Sequence, residues 1–163
     1  MYLILELEVR QQRRGTHDLI DEMEDMIDIA LWIVQGILGL AFLAAGGMKL
    51  VTPIAEMAAQ MAWVNDVPEL LVRFIGASEV AGALGLVLPA ALRIQPRLTP
   101  IAASLLAVVM VLAAATHISL GELGHTAPNI GLGGMCAFVA WGRWKKVPVL
   151  PRVIAAAPKA ARA

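Results

Sequence analysis

Apolar residues fall into four long runs, and what lies between them is short and polar. The runs cover Ile29–Leu50, Glu69–Leu88, Thr99–Leu120 and Ala127–Trp144. Each is close to the roughly 20 residues a helix needs to cross about 30 Å of hydrocarbon. Between the first two, Ile54, Met57, Ala58 and Met61 recur at helical spacing, with Glu56 and Gln60 elsewhere on the wheel. That stretch is too short to span, so the pattern predicts a short amphipathic helix in the interface plane, anchored by Trp63. The expected fold is an all-α membrane protein, a four-transmembrane-helix bundle with this interfacial helix between spans one and two.

The flanks differ from the body. Residues 1–28 are polar, with Arg10, Arg13 and Arg14 followed by six acids from Asp18 to Asp28. They lack the order of a signal peptide, and the acids exclude a typical transit peptide. Asp18–Asp28 reads either as a short exposed helix or as part of a disordered tail. Met23 and Met26, just before the first apolar run, are alternative translation starts. Residues 145–163 read as a basic tail with prolines and alanines.

Composition agrees with a membrane body. Of 163 residues, 59% are hydrophobic and 16% charged, and the mean hydropathy is +0.73. Ordinary soluble domains sit near 45–50% apolar and 25% charged. Zero formal net charge argues against a general nucleic-acid binder. Eleven of the thirteen Lys and Arg residues lie in the N-terminal stretch, the 89–98 link or the C-terminal end. The positive-inside rule then puts both termini in the cytoplasm.

Against this apolar background a few side chains need a reason. Glu79 lies roughly 15 Å into the second run, near mid-bilayer, where a carboxyl costs at least a few kcal/mol unless protonated, paired or facing a wet cavity. Glu69 and Arg73 are one turn apart and can pair. In an up-down-up-down bundle, the end of span one, the start of two, the end of three and the start of four share one face. Lys49, Arg73, His117 and Asn129 sit at those four places, with Glu122 and His125 in the turn above. The bland reading is snorkelling cations and capping or interhelical hydrogen bonds. The functional reading is a polar mouth over Glu79. There, Arg73 or Lys49 would hold an oxyanion, and Glu79 and His117 would exchange protons.

Other chemistries are disfavoured. His117 alone lies at membrane depth, which does not suit a two-histidine haem. His117, Glu122 and His125 lack the spacing of a helical zinc site. Gly131, Gly133 and Gly134 follow no strand and precede no phosphate-binding lysine, so close helix packing explains them better. The single cysteine, Cys136, has no basic or His neighbour in sequence and reads as a buried, inert thiol.

Taken in order, ALWIVQGILGLAFLAAGGMKL, VRFIGASEVAGALGLVLP, a histidine in ATHISLGE, and an asparagine opening a run that ends FVAWGRW resemble the DoxX-like family. The likeness covers about Ile27–Trp144, and the family's recurring positions map onto Gly47, Lys49, Arg73, Gly76, Glu79, His117 and Asn129. It implies a small bacterial inner-membrane protein. Some relatives are linked to quinone-coupled thiosulfate oxidation, others to complexes handling oxidative or thiol stress. Two functional classes stay open. One is a subunit of a quinone- or thiol-linked redox system with no intrinsic cofactor, quinone being the candidate one, working with a soluble or membrane partner that carries the cofactor. The other is a non-catalytic assembly factor or small-molecule carrier. Candidate partners are the lipid bilayer, a redox partner protein and further copies of the chain, but not nucleic acid.

Overall fold

The computed structural model describes residues 2–152. Helix α1 (Tyr2–Val51) is followed by a single turn, α2 (Ile54–Ala58), and a 3₁₀ turn at Ala62–Asp66. Three further long helices, α3 (Glu69–Leu92), α4 (Leu98–Ser119) and α5 (Leu123–Trp141), precede a π turn at Gly142–Lys146. The part of the basic tail beyond residue 152 lies outside the described residues.

Three helices, α1, α3 and α4, are long and apolar enough to cross a membrane. α5 is not among them, although it is 19 residues long, because His125, Thr126 and Asn129 dilute its first turns. The polar stretch before Ile29 is helical from Tyr2 onward and continuous with the apolar part of α1. Residues 10–26 are exposed throughout.

The contact order is α1 to α3, α3 to α4, α4 to α5, and α5 back to α1. Specific pairs fix the direction of each step. Gly46 meets Gly76 while Gly39 faces Val87, Gly82 meets Leu106 while Gly85 faces Ala102, and Gly142 touches Leu31. Numbers rise on one helix as they fall on its neighbour, so successive long helices are antiparallel. At the first crossing the backbones nearly touch. A Cβ built on Gly46 would lie 2.6 Å from the Gly76 carbonyl oxygen, and one on Gly76 would lie 2.8 Å from that of Gly46. Only glycine permits that approach.

Leu31, Leu38, Phe42, Leu86, Leu106 and Val139 fill the main core, together with Cys136, which is fully buried as its sequence context suggested. Larger apolar side chains turn outward instead: Ile33, Ile37, Leu40, Leu105, Val111 and Ile130 are all more than half exposed. An outward belt of this kind is disfavoured in water and natural in lipid.

Element boundaries depart from the sequence pattern in three places. Span two was expected to stop before Pro89, yet α3 runs to Leu92 and ends at Arg93, whose φ of 55° is left-handed. A proline removes one ladder bond but does not by itself end a helix held between neighbours. The expected polar turn 121–126 shrinks, because α5 already begins at Leu123; Gly121, with φ +74°, makes the reversal. The expected interfacial helix is broken into α2 and the 3₁₀ turn. Met57 and Val64 from these turns bury with Val72 of α3 as a second small core, with Ile54, Met61 and Trp63 packed around it. The periodic apolar set thus points into the protein, against the start of α3.

Candidate functional site

The expected polar residues gather at one end of the bundle. Lys49 is in the last turn of α1 and Glu79 lies ten residues into α3. The Gly46–Gly76 contact brings these helices so close that the two side chains meet beside it. Lys49 Nζ donates to Glu79 Oε2 at 2.7 Å and to Oε1 at 3.0 Å. Both residues are buried, with 8% and 4% of their surface exposed. Taking two charges from water costs several kcal/mol per ion, and two short bonds on one carboxylate offset that cost.

Arg73 forms the next layer. Its Nη1 donates to the carbonyls of Lys49 at 2.6 Å and Thr52 at 2.8 Å. These are carbonyls at the C-terminal end of α1, where intrahelical partners run out and a cation meets the negative end of the helix dipole. Nε and Nη2 donate to Glu69 Oε1 at 3.2 and 3.0 Å, which is the one-turn pair expected from spacing. Arg73 therefore clamps α1 onto α3 above the buried ion pair. The oxyanion role considered for Arg73 and Lys49 meets donors already engaged within the fold.

His117 belongs to a second pair. Its Nδ1 lies 2.8 Å from Glu122 Oε2 across the α4–α5 turn, and both side chains are partly buried. Asn129 is half-buried in the second turn of α5. The antiparallel order puts this pair and Asn129 at the same end as Lys49, Glu79 and Arg73. Of the turn residues, the side chain of His125 lies outside the described set.

A second polar cluster, at the opposite end, escaped sequence reasoning. Arg143, in the π turn after α5, donates through Nε to Gln35 Oε1 at 2.7 Å and through Nη1 to Asp28 Oδ1 at 2.5 Å. The same Nη1 reaches the Val147 carbonyl at 3.2 Å, and the guanidinium lies over the Trp32 ring at 5.0 Å. Gln35, fully buried, donates in turn to the Leu86 carbonyl at 2.8 Å. One arginine thereby links α1, α3 and α5. A signal for it existed: Gln35 is the one strongly polar residue inside the first span, and antiparallel topology brings Arg143 to its level.

An apolar exterior, helices of spanning length, a buried ion pair towards one end and a buried arginine at the other define a polytopic helical membrane protein. Residues 33–139 match the DoxX-like family, and the chain belongs to that family. Neither a search of curated proteins nor one of solved structures found a match.

Proposed function

We propose that this protein crosses the bacterial inner membrane four times, with both termini in the cytoplasm. It serves a quinone-linked redox system as a subunit without a cofactor of its own, passing a proton through the polar end of the bundle. The buried Lys49–Glu79 pair is the observation that carries this reading. An acid and a base bonded directly at membrane depth can exchange a proton and become neutral together, so either charge state is tolerated. Quinone reduction takes up protons and quinol oxidation releases them, so a group that accepts a proton at depth and hands it on serves that chemistry. A thiol-linked variant has less support, because the only cysteine is fully buried.

Replacing Glu79 by Gln removes the exchangeable acid while keeping its shape. Quinone-dependent turnover by the membrane complex is expected to fall at least tenfold, with the protein still present in the membrane. Turnover unchanged in both Glu79→Gln and Glu79→Ala would refute the proton role.

A specific observation favours the second reading, a non-catalytic assembly factor or carrier. All three nitrogens of the Arg73 guanidinium are bonded inside the fold, and Lys49 is engaged by Glu79. On that reading the ion pair is a fastener. A complex that forms with a partner yet gains no electron transfer would decide for it.

A further inference from the structure

A cavity of about 320 Å³ lies along the α1–α3 seam. Its walls include Gly36, Gly39 and Leu43 of α1 and Ala83, Leu84 and Leu88 of α3. Gly36 makes the opening: a Cβ built there would meet nothing within 4 Å. Leu40, Leu43, Leu84 and Leu88 are 73%, 44%, 46% and 45% exposed, so the groove faces outward, toward lipid. It is an apolar slot running about 10 Å along the helix axis.

The two ends of the slot differ. Past Leu43 the helices close onto each other at Gly46 and Gly76, where the backbones nearly touch. Nothing threads through that point toward Lys49 and Glu79. Past Gly36 the slot leads one turn down α1 to Trp32, which carries the Arg143 guanidinium on its ring. Beyond Leu88, about one and a half turns further, α3 ends at Arg93. Exposed basic side chains collect at this level, with the acids of α1 beyond them. Arg93, Arg97, Lys145, Lys146 and Arg152 are exposed here, and the Arg152 amide bonds to the Arg93 carbonyl at 3.0 Å, drawing those two together. Asp28, the acid nearest this end, is already bound to Arg143, and the other acids of α1 lie further out along the helix. Arg143 Nη2 is buried without a hydrogen-bond partner among the described residues.

We infer that the α1–α3 groove is a binding site for an anionic phospholipid, one acyl chain lying against Gly36 and Gly39 and the phosphate held at the Arg93–Arg152 end. A molecule with an apolar tail must place its head at the open end, and the head that matches this end is negative. The site is separate from the Lys49–Glu79 end and stands whether or not that end moves protons.

The test uses the full chain in mild detergent, given equimolar phosphatidylglycerol and phosphatidylethanolamine, with retained lipid counted by native mass spectrometry. Phosphatidylglycerol should be held severalfold over phosphatidylethanolamine. Gly36→Leu fills the slot and should abolish that retention, while Gly134→Leu, at an open and exposed site on α5, should leave it intact. Arg93→Gln and Arg152→Gln should each lower it about fivefold, the effect of one basic residue near an anionic surface. If Gly36→Leu is not recovered folded, Leu40→Trp narrows the same slot from an exposed position and carries the same expectation. Equal retention of both lipids, wild-type retention in the slot-filling variant, or displacement of phosphatidylglycerol by an isoprenoid quinone would overturn the assignment.

Discussion

At the scale of single residues, the Lys49–Glu79 pair makes the sharpest demand on stability. Removing one partner leaves the other as a buried, unmatched charge, which costs roughly 3–5 kcal/mol. Lys49→Met and Glu79→Leu should therefore each lower stability by about that amount in a denaturant titration in detergent. The double variant should recover most of the loss, since two apolar side chains of similar volume replace both charges. Additive losses would mean that the pair is not the unit of interaction. The sequence made Glu79 conspicuous, because an acid in mid-span demands an explanation wherever it occurs. It did not single out the partner. Arg73, six residues away on the same helix, is bound to Glu69 and to the end of α1, while Lys49 reaches Glu79 from another helix. Which cation arrives depends on how closely two backbones approach, and that is set outside either residue's neighbourhood.

At the scale of elements, the same approach rests on Gly46 and Gly76. Gly46→Ala drives a Cβ to 2.6 Å from a carbonyl oxygen and 2.9 Å from Glu79 Cβ, and neither can retreat by rotating a side chain. It should cost about 1–3 kcal/mol, the usual range for overpacking, and loosen the ion pair. Gly47→Ala next to it meets nothing within 4 Å and should be neutral or slightly stabilising, since alanine favours helix. Thermal unfolding of the two variants side by side checks the contrast. The apolar runs forecast α3, α4 and α5 to within about four residues, because hydropathy and length are local properties, whereas α1 starts at Tyr2, far ahead of the run that opens at Ile29. Helix ends moved where neighbours overrode local signals, as when α3 ran past Pro89. The Asp28–Gln35–Arg143 link escaped sequence reasoning, since Arg143 lies more than a hundred positions from both of its partners. Arg143→Lys tests it. Lysine keeps the charge but cannot engage Gln35 and Asp28 through a planar fork or lie flat on Trp32. A loss of about 2 kcal/mol is expected, within the range for breaking a hydrogen bond to a charged group, read as a lower unfolding midpoint with unchanged helicity.

At the scale of the whole molecule the open choice is between three crossings and four, and it turns on α5. Composition leaves α5 out of the helices apolar enough to span. Packing argues the other way. The far end of α5 is pinned through Arg143 to Asp28 and Gln35, at the entry of the apolar part of α1, and its near end follows the turn that joins Glu122 to His117 at the exit of α4. A helix tethered at those two points covers the same thickness as its neighbours, and 19 residues reach about 28 Å at the rise of an α-helix. Its polar first turns sit where the other helices also carry their charges, so their cost is shared with Lys49, Arg73 and His117 at that rim. Four crossings leave the two termini on one side; three would separate them. The experiment is a pair of fusions to the full chain. A fluorescent protein that folds only in the cytoplasm should light up at either terminus, and an alkaline phosphatase inserted at Gly121 should be active outside. A dark C-terminal fusion beside a bright N-terminal one would mean that α5 lies within the bundle without crossing, and would part Arg143, Lys145, Lys146 and Arg152 from the side that holds Arg93 and Arg97.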